Sequence, residues 1–383
     1  MNFQLTEEQN MLREMVREFA ENEIRPQARI LEESRTFPEE LLKKMADLGI
    51  LGMTVPSEYE GYQVDTLSVA LALEEISRAL PSLAVILSVH TSLFCYSINN
   101  FGTEFQKKRY LPAAARGDII GAFSLTEPEA GSDAANLKSV ARKKGDRYVL
   151  NGTKAWVTSG KTAGAVIIFT QTETVKDKKI SAFIVDKDSS GFQVSKIEDK
   201  MGLNSSLTAE ITLEDCEVPE ENRLGQEGEG LHIALHGLDL SRIGIAAQSV
   251  GLAQRSLEEA VEYARQRKAF GKNISQFQAV QFMLADIAVL AEAARLLTHR
   301  AACRFDKGLP YAQESAMAKL FASEAANKIA YKALQVHGGY GYSKEFFIEQ
   351  LYRDARVLPI YEGTSEIQRV IISRHLLNEG PSQ

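Results

Sequence analysis

The stretch DRYVLNGTKAWVTS, Asp146 to Ser159, decides how the middle of this chain is interpreted. It is rich in β-branched and aromatic residues, which favour strands over helices. Asn151-Gly152 separates its two apolar runs, and this dipeptide favours the tight turn of a β-hairpin. The stretch therefore predicts two antiparallel strands joined at Asn151-Gly152.

The segments around this stretch have the same character, since they are short, β-branched and separated by turn-forming residues. They are IIGAFSLT (119–126), AVIIFTQT (165–172), ISAFIVD (180–186), GFQVSK (191–196) and LTAEITLEDCEV (207–218). We therefore predict a small β-barrel or sandwich over residues 119–222.

Helical patterns flank this β-rich segment. Thr6 to Gln9 forms a capping box, the usual start of a helix, and prolines at 26, 38, 56, 81 and 112 are expected to divide residues 1–118 into short helices. No proline lies between Pro219 and Pro310, and two long apolar stripes with near-heptad spacing predict an antiparallel four-helix bundle. The stripes are Ile243, Ala246, Ala247, Val250, Ala253, Leu257, Val261 and Ala264, and then Val280, Met283, Leu284, Ile287, Leu290, Ala291, Ala294 and Leu297.

The predicted fold class is thus an α+β multidomain protein. It has an N-terminal helical domain (1–118), a middle β-barrel domain (119–222) and a C-terminal four-helix bundle (223–383). A chain of 383 residues is long enough for several packed domains.

Composition excludes several classes of protein. The net charge of −7 argues against a nucleic-acid binder, which would normally present a basic face. We expect no apolar run of transmembrane length and no membrane insertion, and the N-terminus lacks the cationic start and apolar block of a signal peptide. Cys95, Cys216 and Cys303 are odd in number and far apart, which is typical of a reducing compartment.

Two short motifs carry little weight. Ser159-Gly160-Lys161-Thr162 contains GKT, but Ala155 occupies the position of the first P-loop glycine, so we interpret it as a strand-end turn. His232 and His236 are four residues apart on a predicted helix but have no visible third ligand. We therefore predict no metal site.

Two loops are better candidates for binding a ligand. LTEPEAGSD, Leu125 to Asp133, follows a predicted strand, and its short side chains and free N–H groups suit an anion or a polar ring edge. KAWVTSG contains the only tryptophan, Trp156, which is either a wall for a planar cofactor beside Thr158 or a core residue.

Two further motifs lie in the C-terminal segment. Arg267 beside Gly271 suggests a phosphate contact, and Gly338, Gly339 and Gly341 allow close approach of the backbone to a ligand.

The stretch PIYEGTSEIQR, Pro359 to Arg369, places Glu362 just before a predicted helix. An acid in this position commonly caps the helix or favours its dipole. The other interpretation is a general base held in a dry pocket.

Taken together, these motifs resemble the acyl-CoA dehydrogenase family over nearly the whole chain. LTEPEAGSD, KAWVTSG, LDLSRIGIAAQSVGLAQ, RKAFG…FQ, QVHGGYGY and YEGTSEIQR occur in the family's order and spacing. Six ordered motifs, together with the order helices, sheet, helices, make a chance match very improbable.

The resemblance implies a role for each matching residue. Glu362 matches the catalytic base, and Ser132, Asp239, Arg242 and Gly363 match acyl-CoA contacts. The residues that match FAD contacts are Phe123, Ser124, Leu125, Thr126, Ser132, Trp156, Thr158, Thr364 and Glu366. Those that match contacts to the FAD of a neighbouring subunit are Arg267, Gln278, Gln335 and Gly339.

The resemblance also implies a reaction and partners. The base removes the α-proton of an acyl-CoA thioester while FAD accepts the β-hydride, and electrons pass to electron-transferring flavoprotein. It implies a homotetramer, a dimer of dimers, in the bacterial cytoplasm or as a mature mitochondrial matrix protein.

Departures from the family pattern narrow the substrate. Isovaleryl- and long-chain-type members carry their base just before the arginine that matches Arg242, where this chain has Ser241. No Arg or Lys lies between Arg78 and Lys107, which disfavours a dicarboxylyl substrate. The resemblance is strongest to butyryl-type members, and HTSLFC (His90 to Cys95) matches the segment at the fatty-acyl end, with Leu93 or Phe94 expected to close the pocket. A related flavin oxidase or monooxygenase, and a helical scaffold without activity, are the alternatives.

Overall fold

A computed structural model describes residues 4–173 and 178–378 of the chain. Short helices fill the N-terminal segment, and the predicted capping box is confirmed, because the Thr6 hydroxyl accepts from the Gln9 N–H at 3.2 Å. Two π-helical turns, Ala20–Ile24 and Val89–Cys95, continue helices α1 and α5. The helices are α1 (Glu7–Phe19), α2 (Arg25–Ser34), α3 (Glu39–Asp47), α4 (Thr66–Ala79), α5 (Pro81–Ser88), α6 (Tyr96–Phe101) and α7 (Glu104–Ala115).

Two of the expected helix boundaries are wrong. Pro26 lies in a helical run that continues without a break from α1 through the π-helical turn into α2. Pro112 lies inside α7, which continues to Ala115. A proline in the last turn of a helix removes a single backbone donor, so the helix can extend a few residues past it.

The middle segment is one curled sheet, in the order β6-β7-β3-β2-β4-β5-β8, with β1 paired to β4. Side chains from its strands meet in one core that includes Tyr148, Ile168, Phe183 and Ile211. Among the described strands, β6 and β8 form the ends of the order, so hydrogen bonding leaves the barrel open. The strands are β1 (Gly121–Ser124), β2 (Val140–Lys144), β3 (Arg147–Thr158), β4 (Ala165–Glu173), β5 (Lys178–Asp186), β6 (Phe192–Ile197), β7 (Thr208–Pro219) and β8 (Arg223–Leu224).

The hairpin predicted at Asn151-Gly152 is wrong. Strand β3 runs without interruption through both residues, and a β-bulge against β7 lies between Leu150 and Gly152. Gly152 has φ +146°, and a Cβ there would lie 2.3 Å from the Ser139 hydroxyl oxygen. The glycine therefore serves a bulge and a close approach, while the tight turn falls at Gly145, between β2 and β3.

The C-terminal segment is helical as predicted. Helices α8, α9 and α10 pack against one another, and α12 packs on α10. Ile287, Ala291 and Ala294 of the second predicted stripe are buried. A two-stranded ribbon, β9 (Lys268–Ala269) and β10 (Lys272–Asn273), follows α8. The helices are α8 (Gly230–Gln266), α9 (Gln278–Asp306), α10 (Ala312–His337), α11 (Ile348–Ala355) and α12 (Ser365–Asn378).

The largest hydrophobic core joins the two ends of the chain. It combines α1 to α5 with residues of α8, α9, α10 and α11, and α4 packs directly on α8. Asp306 at the end of α9 also accepts hydrogen bonds from the Thr66 and Leu67 N–H groups at the start of α4. The helical segments on either side of the sheet are thus one packed body.

The expectation that no apolar run reaches transmembrane length is wrong for Pro81–Phe101. Among the described residues, these 21 are long and apolar enough to cross a membrane. Of their most apolar window, 94% is buried inside the protein. The segment is therefore packed as a central helix of the fold.

Candidate active site

Glu362 lies on a bend between α11 and α12. Its φ of +54° is in the left-handed region, which is unfavourable for a residue with a side chain, and Gly363 follows with φ +88°. A Cβ at Gly363 would lie 2.7 Å from the Gln368 side-chain nitrogen, so the bend requires glycine there.

Thr364, and not Glu362, caps helix α12. The Thr364 hydroxyl accepts from the Ile367 N–H at 3.3 Å. The Glu362 carboxylate instead accepts a hydrogen bond from the Ser241 hydroxyl on α8. Helix capping therefore does not explain the acid at position 362.

The environment of Glu362 suits a proton acceptor. Part of the residue is exposed, but protein atoms surround the carboxyl group, and this burial raises its pKa above the ordinary value. The hydrogen bond from Ser241 and the positive charges of Lys319 and Arg242 oppose this rise. A carboxylate with a raised pKa holds a proton more strongly and is a better base near neutral pH.

Ser241→Ala is expected to raise the pKa of Glu362 further, because the hydroxyl favours the carboxylate form. If Glu362 is the base, the pH below which kcat/KM falls should move up by roughly one unit, while the rate at high pH changes little. The check is the pH profile of kcat/KM for the two proteins. If the acid limb of this profile moved to lower pH, the Ser241 hydroxyl would not be lowering the pKa of Glu362.

The backbone around Glu362 is held by buried side chains. Gln368 donates from its side chain to the carbonyl oxygens of Glu362 (3.2 Å) and Gly363 (2.9 Å). The Tyr361 hydroxyl donates to the Gln248 side chain, which itself donates to the Pro81 carbonyl at 2.9 Å. Among the described residues, no acceptor takes the Glu362 N–H, so this group can donate to a ligand.

Lys319 was not expected from the sequence. It is fully buried on α10, and its ammonium group donates to the Gly363 carbonyl at 2.7 Å. Burial lowers the pKa of Lys319 to about 7. A lysine among small apolar residues on one face of a helix, AMAKLFASEAA, is a signal that could have pointed to it.

Arg242 and Asp239 lie on α8, near the bend that carries Glu362. Arg242 is 3% exposed and donates to the Asp239 carboxylate, while its Nε finds no partner in the described part of the chain. A buried donor without an acceptor is costly unless a ligand supplies one. Arg242 is close enough to Glu362 to lower the pKa of its carboxyl group, and Asp239 is paired with Arg242.

The β-sheet presents a second group of predicted residues. Phe123, Ser124 and Leu125 are buried at the end of β1, and the Ser124 hydroxyl has no partner among the described residues. The Ala155 N–H donates to the Thr126 carbonyl at 2.9 Å, which holds this loop against the part of β3 that carries Trp156 and Thr158. LTEPEAGSD and KAWVTSG, the two stretches predicted to contact FAD, are therefore adjacent.

Trp156 is not a core residue. Its side chain is 61% exposed, and its φ of +58° lies in a β-bulge between Lys154 and Val157. Exposing a large aromatic side chain without a partner is unfavourable, so this ring is available as a flat wall. The GKT sequence that follows is a turn at the end of β3, as predicted.

A buried ion pair holds the loop that follows β1, and sequence reasoning missed it. The Lys154 ammonium lies 2.7 Å from the Glu127 carboxylate, with side-chain exposures of 0% and 5%. Burial lowers the pKa of Lys154 to about 8. Burial alone would raise the pKa of Glu127, but the Lys154 charge and hydrogen bonds from Ser139 and the Lys138 N–H hold it below the ordinary value.

The remaining predicted residues lie on the surface. Arg267, Gln278, Gln335 and Gly339 are exposed, and the Arg267 guanidinium lies 5.2 Å from the ring centre of Tyr340. Ser132 and Glu366 are also exposed. His232 and His236 pack against Phe101, and His236 Nδ1 lies 3.1 Å from the Tyr96 hydroxyl.

Comparison with known families identifies the class of protein. Three models of the acyl-CoA dehydrogenases match consecutive parts of the chain: the N-terminal domain over residues 6–118, the middle domain over 122–216 and the C-terminal domain over 228–377. The chain belongs to the acyl-CoA dehydrogenase family, and the resemblance and fold class predicted from its motifs are confirmed.

Individual relatives are similar over nearly all of this chain. The mitochondrial short-chain specific acyl-CoA dehydrogenase of Mus musculus is 49% identical over 375 residues, 98% of this chain and 91% of that protein. The structure of butyryl-CoA dehydrogenase from Megasphaera elsdenii has a TM-score of 0.96 at 40% identity and covers 98% of this chain and 100% of that one. An acyl-CoA dehydrogenase from Bacillus anthracis complexed with FAD has a TM-score of 0.93 at 36% identity, over 98% of this chain and 67% of that one.

Proposed function

We propose that this chain catalyses the FAD-dependent α,β-dehydrogenation of short- to medium-chain acyl-CoA to trans-2-enoyl-CoA. The observation that carries the proposal is Glu362, whose carboxyl group has a pKa raised by burial and whose N–H has no acceptor among the described residues. Membership in the family and the short-chain and butyryl-CoA relatives support the same reaction.

The bend lets Glu362 act on both the α-proton and the thioester oxygen of the substrate. The α-proton of a thioester is weakly acidic, so its removal requires both a base and stabilisation of the enolate oxygen. The Glu362 carboxylate would take the proton, and the Glu362 N–H would donate to the thioester oxygen. Tyr361 and the apolar residues around it limit access of water to the carboxylate.

The residues of the sheet fit a flavin. An unpartnered Ser124 hydroxyl, the Thr126 backbone and an exposed Trp156 ring lie on adjacent loops and offer polar contacts and a flat wall. When bound there, FAD would supply the acceptor for the β-hydride. We assign Phe123, Ser124, Leu125, Thr126, Ser132, Trp156, Thr158, Thr364 and Glu366 to this cofactor.

Further residues would bind the substrate and the cofactor of a second subunit. Arg242, with its unpartnered Nε, and Asp239 are assigned to acyl-CoA together with Ser132 and Gly363. The exposed Arg267, Gln278, Gln335 and Gly339 would reach the FAD of a neighbouring subunit in a homotetramer. The division into domains at residues 118 and 222 and a cytoplasmic location stay predictions.

Electron-transferring flavoprotein is the proposed acceptor, and the test separates it from oxygen. We expect a yellow protein that butyryl-CoA bleaches in the absence of air, with slow reoxidation by oxygen and rapid reoxidation by electron-transferring flavoprotein. Rapid reoxidation by oxygen would favour a flavin oxidase or monooxygenase. A colourless protein that takes up no FAD would contradict the proposal.

The preferred acyl chain length is expected to lie between about C4 and C8. Each buried methylene contributes about 0.8 kcal/mol, roughly a factor of four, until the chain meets the end of the pocket. Leu93 lies in the apolar cluster against which Tyr361 packs, whereas the Phe94 ring fills the space over Gly121, where a Cβ would lie 2.0 Å from it. Leu93→Ala should therefore move the optimum of kcat/KM to longer chains, as measured on a series of straight acyl-CoAs.

Phe94→Leu serves as the control in this series, because Phe94 is fully buried against β1. This variant should lose stability and keep the optimum of the unsubstituted protein. An optimum that stays in place in Leu93→Ala would show that Leu93 does not set the depth of the pocket.

A further inference from the structure

Lys319 is a buried cation to which the proposed reaction assigns no part. It lies on α10 with no exposed surface, and its hydrogen bond to a described residue goes to the neutral carbonyl of Gly363, at 2.7 Å. Burial of an ammonium group without a carboxylate in direct contact is unfavourable, and such groups concentrate at functional sites. A purely structural helix position would be more stable with an apolar residue.

Lys319 and Gln368 together hold the peptide that follows Glu362. Both side chains are fully buried, and both donate to the Gly363 carbonyl, while Gln368 also donates to the Glu362 carbonyl. The positive φ of Glu362 costs of order 1–3 kcal/mol and persists only where the surroundings enforce it. The Lys319–Gln368 pair supplies this enforcement from two different helices, α10 and α12.

The charge of Lys319 acts on the same carboxylate. The charged groups that influence Lys319 are Glu362, Arg242 and Glu366, and Lys319 and Arg242 both lower the pKa of Glu362. Burial lowers the pKa of Lys319 to about 7, so the side chain carries its positive charge below that pH. This charge favours the ionised form of the Glu362 carboxyl group.

We infer that Lys319 is a positioning residue for the base. It fixes the Gly363 carbonyl, and with it the bend that aims the Glu362 carboxylate and N–H, and it places a positive charge near that carboxylate. This inference rests on the proposed function, because it assigns Glu362 as the base. It goes further in giving a neighbouring helix control over both the geometry and the charge of that base.

The test compares Lys319→Met with Lys328→Met. Lys328 is an exposed lysine on the same helix, so its variant controls for the substitution itself. In Lys319→Met we expect hydrogen exchange of the backbone between residues 357 and 368 to speed up roughly tenfold. We expect kcat to fall by roughly tenfold to a hundredfold with KM changed much less, and the acid limb of kcat/KM to move up by about one pH unit.

Gln368→Met separates the two effects. It removes the neutral donor of the pair and should speed up exchange and lower kcat while the acid limb stays in place. Unchanged exchange in Lys319→Met, or an acid limb that matches that of Lys328→Met, would overturn the inference. Hydrogen exchange needs no substrate, so it still decides the positioning role if acyl-CoA fails to bleach the unsubstituted protein, which is the separate failure of the proposed function.

Discussion

Glu362→Gln should bind acyl-CoA and FAD normally but reduce the flavin roughly a hundredfold to ten-thousandfold more slowly. A positioned general base typically contributes about 10²–10⁴-fold, and the amide cannot accept the α-proton. Glutamine has nearly the shape of glutamate, and its side-chain oxygen can still accept from the Ser241 hydroxyl. The measurement is anaerobic stopped-flow bleaching of the flavin by butyryl-CoA, with binding followed separately.

Stability provides the control for this variant. The carboxyl group of Glu362 is surrounded by protein, so replacing it with an uncharged amide removes a buried charge and should not weaken the fold. An unchanged unfolding midpoint together with slow bleaching would place the effect on proton transfer. Bleaching at nearly the rate of the unsubstituted protein would show that Glu362 is not the base.

Lys154→Met is expected to have the largest effect on stability. Removing one member of a buried ion pair leaves an uncompensated charge and costs about 3–5 kcal/mol of the free energy of unfolding. Glu127 would keep its contacts with the Lys138 and Ser139 N–H groups but lose the cation 2.7 Å away. Trp156 lies two residues further along the same strand, so its fluorescence reports unfolding of the sheet directly.

Two matched variants make this result specific. The double variant Lys154→Met with Glu127→Gln should recover part of the loss, because the amide still accepts a hydrogen bond and carries no charge. Lys138→Met breaks an ion pair with Glu129 whose side chains are 66% and 69% exposed, and it should change stability very little. If Lys154→Met and Lys138→Met lowered the free energy of unfolding equally, burial would not be the reason why the Lys154–Glu127 pair stabilises the protein.

The sequence predicted the order and type of the elements because the spacing of apolar residues matches the repeat of the helix or strand that they form. The long stripes fell within α8 and α9, and each β-branched run overlaps an observed strand. Strand β2, VARKK, was missed since its exposed, charged residues conceal a strand whose pairing depends on β3 and β4. Asn151-Gly152 misled because the same residue types that make a turn also suit a bulge, and only the partner strand decides between them.

The site was predicted unevenly for a similar reason. The residues around Glu362 left helix capping and a general base open, and the assignment as the base came from the resemblance of YEGTSEIQR to the family motif. The signal for Lys319 is weaker, a lysine among small apolar residues of α10, and Lys154 has none, because its burial arises from contacts between residues far apart in the chain. The exposure of Trp156 depends on a left-handed backbone angle that neither its sequence nor its strand pattern shows.

The core shared by the two ends of the chain has a consequence for synthesis. Helix α4 and the apolar segment Pro81–Phe101 leave the ribosome well before α8, on which they pack. At translation rates of about 5–20 residues per second, the delay is roughly 10 to 30 seconds. During that interval the apolar surface that α4 and Pro81–Phe101 later bury against α8 stays exposed, so the nascent chain is more prone to aggregation than the finished fold would suggest.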